Sequence, residues 1–540
     1  MCGIAGEIRF DGEPVDVAAL SRMNERQQPR GPDGQGLQVS DRFGFGHRRL
    51  KIMDLSDAAQ QPMFDPALGA GIVFNGAVYN HAELRRELEA QGYRFHSSGD
   101  TEVLLKAWHA WGPDFVKRLN GMFAFAIWER DSGRVLLGRD RLGIKPLYLA
   151  PIRGGLRFAS SLPALLAAGG IDTAIDPVGL NHYLSLHAIV PPPHTILRGV
   201  RKLAPGTLLQ IEADGTSKEH SFWSLSYERD AVDESRSFDD WREILLDGLR
   251  AAVKRRLVAD VPVGALLSGG VDSSLIVGLM AEAGVRDLRT YNVGFEDVGG
   301  EKGNEFEYAD IVAQRFGTVH ERIFVPEAQL LDRLPEAITA MSEPMVSHDC
   351  IGFYLLSEAV SRHSKVVQSG QGADEVFGGY HWYPKLAGSQ RPVDDYATAF
   401  LDLDRAMEDA SASSSWIGEL THGEGHGHGH SQGRRLSDPP AAQYGYAPEP
   451  VFGGYGRTDG PRGGAVPMQH QYQQPQAQGN QQQQQLRRLE QLRSNRHGAP
   501  PGGLQRAPYP PTAPSPPQPP ALVVPRYVAP RGAEREVPGM

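Results

Sequence analysis

From Val263 to about Tyr380 the chain alternates short apolar runs with stretches of helical spacing, an order that few folds accommodate. Strands are expected at Val263–Leu267, Thr290–Gly294 and Lys365–Ser369, and helices at Ser273–Ala283, Glu307–Phe316 and near Phe353–Arg362. Strand–helix alternation of this kind builds a parallel, doubly wound α/β sheet. A helix from Trp241 to about Leu257 precedes the first strand. Asp239 and Asp240 are its candidate N-caps, and Trp241, Leu245, Leu249 and Val253 share helical spacing.

Two other territories flank this one. Residues 1 to about 215 read as short strands, including Gly71–Phe74, Met122–Trp128 and Val135–Gly138, with an amphipathic helix at His81–Glu89. Their alternation is weak, as expected of strands packed inside sheets. The stretch Glu219–Ser237 has no clear period and reads as a linker. Between Gln390 and Trp416 the composition changes. Residues 421–540 hold 20 of the chain's 40 prolines, one phenylalanine and no lysine or isoleucine. Such a segment cannot bury enough apolar surface to offset its chain entropy. It is expected to be a disordered tail, with one short helix near Leu486–Leu492. The domain limits are therefore 1–215, 238–395 and 411–540.

The 540 residues carry a net charge of −10, which gives no general attraction to nucleic acid or an anionic membrane. Two cysteines, Cys2 and Cys350, do not make a disulfide framework. No apolar stretch approaches a membrane span, and charged residues interrupt the N-terminal segment where a signal peptide needs an apolar run. A cytoplasmic protein is expected.

Cys2 directly follows Met1, and Gly3 leaves the site open. Removal of Met1 would free the Cys2 α-amine, which titrates near neutrality and can act as general base for the thiol on the same residue. Taken alone, a cysteine after methionine says little. It is joined by MCGIAG (Met1–Gly6), RGPDG (Arg30–Gly34), RLKIMDL (Arg49–Leu55) with QQPM (Gln60–Met63), FNGAVYN (Phe74–Asn80), GDTEV (Gly99–Val103) and GRDRLGIKPLY (Gly138–Tyr148). This ordered set resembles the class II glutamine amidotransferase domain. The resemblance implies an α+β N-terminal nucleophile fold, an αββα sandwich, with Cys2 as nucleophile. It implies that Arg49 clamps the α-carboxylate of glutamine. The Asn75 side chain and the Gly76 N–H would form the oxyanion hole, and Asp100 would hold the α-ammonium. The backbone of Leu50, Lys51, Ile52 and Met53 would complete the pocket. Asparagine synthetases usually carry a glutamate where this chain has Ala77, so one partner of the ammonium is missing and weaker glutamine binding is expected.

In the middle territory, Leu266-Leu267-Ser268-Gly269-Gly270-Val271-Asp272-Ser273-Ser274 joins a strand to a helix. Glycines admit a phosphate close to the backbone, and a helix N-terminus offers free N–H groups. The motif is not a Walker loop. It resembles the pyrophosphate loop of N-type ATP pyrophosphatases. A second loop, Ser369-Gly370-Gln371-Gly372-Ala373-Asp374, again follows a strand. The resemblance implies ATP contacts from Leu266, Ser268, Gly269, Gly270, Ser273, Ser274, Val293, Ser369 and Gly370. Asp272 and Asp374 would hold Mg²⁺.

Together the two territories resemble the asparagine synthetase B family. The implied reaction is transfer of ammonia from glutamine to a carboxylate activated as an acyl-adenylate, with a homodimer as candidate assembly. Gln371, where typical members carry glutamate, and Tyr380–Pro384 look closer to the N-acetylglutaminylglutamine amidotransferase branch. The acceptor is then aspartate or an N-acetylated dipeptide. The family's lysine for adenylation has no counterpart, since no lysine follows Lys385. An Arg/Pro/Gly/Ala-rich tail is what a shifted reading frame in GC-rich DNA would produce. The alternative is a native tail whose His422, His426, His428 and His430 bind Ni²⁺ or Zn²⁺ loosely. The frameshift reading predicts glutaminase activity without efficient amide synthesis. A non-catalytic interaction protein is the third class.

Overall fold

In the computed structural model, residues 1–226, 231–297, 302–345, 349–380, 383–386 and 388–400 are described. All belong to one compact unit, Met1–Gly429. The readings made for 411–540 (the tail, its histidines, its short helix and its reading frame) lie outside the described residues.

The N-terminal domain stacks two antiparallel six-stranded sheets. The first has the order β10 (Arg201–Lys202), β8 (Tyr148–Ile152), β9 (Gly155–Ala159), β1 (Gly3–Arg9), β3 (Phe43–Arg49), β2 (Gly34–Val39). The second runs β12 (Ser217–Ser221), β11 (Thr207–Ile211), β7 (Val135–Arg139), β6 (Gly121–Glu129), β5 (Ala70–Val78), β4 (Met63–Asp65). Ile4, Phe45, Val73, Leu137 and Phe158 fill the space between the sheets. Helices Val17–Arg26 and Leu162–Ala168 cover the first sheet through Leu20, Met23 and Leu165. Helices His81–Ala90 and Asp100–Trp111 cover the second through Leu84, Leu88 and Leu104. The four layers are α, β, β, α. In β5, Ile72, Phe74 and Val78 face the helices while Val73 faces the other sheet. Both faces are buried, so alternation is faint in the sequence.

Two sequence readings need correction. The stretch read as linker begins with β12, which pairs with β11 beyond residue 215. Its SKEHS sequence is exposed throughout, as an edge strand allows, so it carries no apolar signal. The next helix spans Phe238–Arg255 with Ser237 as N-cap. The Ser237 hydroxyl accepts from the Asp240 N–H, and the Asp240 carboxylate accepts from the Ser237 N–H. Asp239 and Asp240 therefore sit in the first turn, and the cap is a reciprocal box.

The second domain holds a parallel sheet with the order β15 (Val319–Val325), β14 (Arg289–Phe295), β13 (Val263–Leu266), β16 (Val366–Gln368). Helices Phe238–Arg255, Val271–Glu282 and Phe306–Phe316 pack on one face around Val253, Val277, Met280 and Ala309. On the other face, Leu356 and Val360 of helix Asp349–Ser361 pack on Tyr291. The strand order reverses between β13 and β16. That reversal opens a crevice at the carboxyl ends of these two strands, where doubly wound sheets bind ligands. Strand β15 was not foreseen, because only Val325 of VHERIFV is buried.

Candidate active site

Cys2 is placed by strand pairing. β1 and β3 set Gly3 opposite Arg48, so Cys2 meets the chain where it leaves β3. The Leu50 N–H donates to Cys2 Sγ at 3.4 Å. Burial pushes the thiol up, while the Leu50 N–H and the nearby terminal amine oppose the shift. A thiol kept protonated needs a base. Burial holds the terminal amine at this end of the chain down to about 5, so it is neutral at neutral pH. In this sequence that amine belongs to Met1, and the Cys2 nitrogen lies in a peptide bond.

Asn75 sits on β5 with the parity of Val73, pointing between the sheets toward the layer that carries β1. It is 1% exposed, and its Nδ2 has no hydrogen-bond partner. Gly76 must remain glycine, since a Cβ there would strike the Met122 carbonyl oxygen and the Phe74 ring. Asp100 begins helix Asp100–Trp111 and accepts from the Val78 N–H at 2.9 Å. Burial raises its pKa, and its charge is felt at Cys2. Ala77, also on β5, is buried.

Arg49 is 3% exposed, and its guanidinium is engaged within its own chain neighbourhood. Nη1 donates to the Ser56 carbonyl at 2.7 Å, and Nη2 donates to the Asp54 carbonyl, with Met53 O at 3.5 Å. Arg49 thus shapes the 50–56 loop, whose first four residues, Leu50 to Met53, the sequence assigned to glutamine. Lys51 turns its side chain outward to Asp57 at 3.1 Å, leaving only its backbone for the pocket. Ile52 and Met53 are half-buried in the same loop.

Two cations at Cys2 were matched only as parts of motifs and given no role. Arg30 Nε donates to the Cys2 carbonyl at 3.1 Å, and its buried Nη2 has no partner. Lys145 is 5% exposed, reaches Met1 Sδ at 3.1 Å, and burial lowers its pKa to about 8. Neither spacing nor composition marks them.

The second cluster lies in the crevice between β13 and β16. In the first loop Ser268 Oγ meets Ser273 Oγ at 3.0 Å, and the Gly270 N–H donates to Ser268 Oγ at 3.3 Å. Gly269 takes a φ of +93°, and a Cβ there would collide with Tyr308 and Ala309. Helix Val271–Glu282, which starts at the carboxyl end of β13, has no side-chain cap on its first-turn N–H groups. Ser274 continues this helix. The second loop comes close: a Cβ on Gly370 would lie 2.8 Å from Asp272 Cβ. Ser369 Oγ accepts from the Gln371 N–H at 3.1 Å. Asp374 lies in the first turn of helix Ala373–Phe377 in that loop. Leu266 and Val293 line the neighbouring strand ends, half-buried. Hard oxygen donors from Asp272 and Asp374 suit Mg²⁺, which takes one or two carboxylates beside phosphate oxygens.

Comparison with known proteins gives two adjoining matches. The family described as "Glutamine amidotransferase domain" matches residues 1–223, and "Asparagine synthase" matches residues 245–497. "Asparagine synthetase [glutamine-hydrolyzing] 1" of Bacillus subtilis is 34% identical over 388 residues, covering 71% of this chain and 59% of that protein. "Putative asparagine synthetase [glutamine-hydrolyzing] 2" of Methanocaldococcus jannaschii is 34% identical over 402 residues, covering 70% and 76%. "Putative asparagine synthetase [glutamine-hydrolyzing]" of Mycobacterium bovis is 35% identical over 417 residues, covering 73% and 62%. The chain thus spans about three-fifths of the length of the first of these relatives. Among the described residues, no helix is long and apolar enough to cross a membrane.

Proposed function

The chain belongs to the glutamine-hydrolysing asparagine synthetase family, and from that premise we propose that it releases ammonia from glutamine at Cys2 and joins it to a carboxylate activated by ATP. One observation carries the first half: a buried Asn75 Nδ2 donor without a partner, on the strand face turned toward the sheet whose first strand follows Cys2. An unpaired buried amide is costly to the folded protein, and an oxyanion would satisfy it.

The steps follow from the groups present. Once Met1 is removed, the Cys2 amine takes the thiol proton and Sγ attacks the side-chain carbonyl of glutamine. Asn75 Nδ2 and the Gly76 N–H receive the oxyanion. On collapse the departing amide nitrogen takes that proton from the Cys2 amine and leaves as ammonia, and water then hydrolyses the thioester to glutamate. Asp100 pairs with the substrate's ammonium. Arg49 faces its carboxylate while holding the 53–56 carbonyls, and the backbone of Leu50 to Met53 forms the wall.

In the second half, the loops at Ser268–Ser274 and Ser369–Asp374 cradle the phosphates of ATP. Mg²⁺ held by Asp272 and Asp374 would neutralise charge on the pyrophosphate leaving group. The acceptor carboxylate attacks the α-phosphorus, pyrophosphate departs, and ammonia then displaces AMP from the acyl-adenylate. A neutral Gln371 suits an acceptor without a free α-ammonium, which favours an N-acetylated dipeptide over aspartate. A second reading, glutaminase without amide synthesis, is supported by the absence of any lysine after Lys385.

The test is an assay of the purified chain with glutamine or ammonium as donor, and aspartate or N-acetylglutaminylglutamine as acceptor, following glutamate, AMP and amide. Absence of glutamate release overturns the first half. Asparagine as the main product overturns the dipeptide reading, and glutamate without AMP selects the glutaminase.

A further inference from the structure

The 50–56 loop is tied to the thiol at one end and to the ATP domain at the other. Its first N–H, from Leu50, goes to Cys2 Sγ at 3.4 Å. The Lys51 N–H donates to Asp33 Oδ2 at 2.8 Å, and the same oxygen accepts from Lys365 Nζ at 2.7 Å, three residues before Gln368 ends β16. The next ties come from Asp260, three residues before β13. Its N–H donates to the Ile52 carbonyl at 2.9 Å, and its carboxylate accepts from the Asp54 N–H at 2.6 Å. Asp54 adopts a left-handed φ of +50°, which an aspartate holds only when its surroundings favour it. Its carboxylate is occupied by the Ser98 N–H at 2.7 Å and the Ser56 N–H at 3.0 Å. The Ile52 carbonyl and the Asp54 N–H are therefore satisfied from across the domain boundary.

We propose that Asp260 and Lys365 are positioning residues for glutamine: the ATP domain fastens the glutamine loop through them. The inference rests on the glutaminase reading of the site. Cys2, Asn75, Gly76 and Asp100 are held by β1, β5 and helix Asp100–Trp111, so the bond-breaking groups do not depend on the fastening. The loop backbone that lines the pocket does. Both ties enter the sheet at the strands β13 and β16, whose opposite ends carry the nucleotide loops. The ends of the two strands that flank the switch point thus serve two sites, ATP at one end and the glutamine loop at the other.

The experiment compares steady-state glutamate release by the purified full chain and its variants Asp260→Ala, Asp260→Asn and Lys365→Met. Loss of one net hydrogen bond from the loop should raise the glutamine KM about fivefold in Asp260→Ala and leave kcat unchanged. Asp260→Asn keeps an oxygen for the Asp54 N–H and should restore the wild-type KM. Lys365→Met should raise KM in the same direction. A fall in kcat at constant KM, or an Asn variant as impaired as the Ala variant, overturns the proposal. If Asp260→Ala does not fold, Lys365→Met decides the matter: its site is partly solvent-exposed, and an unchanged KM refutes the fastening. Should the wild-type chain release no glutamate, the glutaminase reading fails and takes this inference with it. Normal wild-type turnover with indifferent variants fails the inference alone.

Discussion

Asn75→Ala should separate catalysis from stability in a way few substitutions can. The Nδ2 group it removes is buried and unpaired, and such a donor costs a folded protein roughly 1–3 kcal/mol. Truncation relieves that cost but opens a void smaller than a leucine deletion leaves, worth about 1–3 kcal/mol in the other direction. The two contributions oppose each other. The net change should stay under ~1 kcal/mol, a Tm shift of no more than about 4 °C for a domain of this size. Catalysis has no such compensation. Loss of one oxyanion donor should lower kcat for glutamate release roughly 10²–10³-fold, or about 2.7–4 kcal/mol. KM should hold, because the donor meets charge that exists only in the transition state. Glutamate release at saturating glutamine and calorimetric Tm are measured on the same preparation. A kcat within about threefold of wild type removes Asn75 from the oxyanion hole, being far short of the loss expected for such a donor. A Tm drop beyond ~10 °C shows that the amide holds the fold together, since that exceeds what the opposing contributions allow.

The other predictions are compact. Cys2→Ala should abolish glutamate release and leave any ammonium-supported amide synthesis intact; intact mass of the wild-type protein should show Met1 absent from the active fraction. Ala77→Glu should lower the glutamine KM by giving the α-ammonium a second carboxylate beside Asp100, and an unchanged KM rejects that account of the alanine. Lys145→Met should be stabilising at pH 7. Burial lowers the Lys145 pKa from 10.5 to about 8, so below pH 8 the ammonium is charged in both folded and unfolded chains and its burial cost of roughly 3 kcal/mol is fully present. Between pH 8 and 10.5 the folded chain sheds the proton while the unfolded chain keeps it, stability rises with pH, and the variant's advantage in Tm should shrink toward zero. A variant less stable than wild type at pH 7 contradicts this sign.

How far the sequence could be read depended on whether a residue's signal was local. The strand at Val263–Leu266 and the Gly71–Phe74 half of Ala70–Val78 were legible because burial on both faces demands apolar runs. Edge strands β12 and β15 were not, because SKEHS is exposed throughout and VHERIFV is buried only at Val325, so neither carries such a demand. The start of helix Phe238–Arg255 was placed three residues late, at Trp241: three cap-forming residues lie close together, and only the reciprocal bonds of Ser237 and Asp240 choose between them. Cys2, Asn75 and Asp100 came from an ordered set of motifs, but that Asn75 Nδ2 lacks a partner is a property of packing. The Asp260 tie joins residues 206 apart and the Lys365–Asp33 pair joins residues 332 apart. No periodicity could pair them.

The two halves of the chain are prepared for their ligands in opposite ways. Around Cys2, buried polar groups gather: an amide donor with no acceptor, a carboxylate raised by burial, a thiol held protonated, and an Arg30 Nη2 without a partner. In the proposed reaction, glutamine brings a complement to two of them, an oxygen for Asn75 and an ammonium for Asp100. Binding energy there is released against a site already formed, the condition for stabilising charge at the moment it develops. The nucleotide crevice has the other character. Gly270, Val271 and Asp272 are exposed, and Val271 is 82% so. Water reaches a phosphate bound there, so electrostatic contacts are screened and an acyl-adenylate would meet solvent. On the proposed reading, efficient amide synthesis therefore requires cover over Ser268–Ser274 and Gly370 that the described residues do not supply, whereas glutamine hydrolysis needs removal of Met1, the groups around Cys2 and the loop that Asp260 and Lys365 would hold against them.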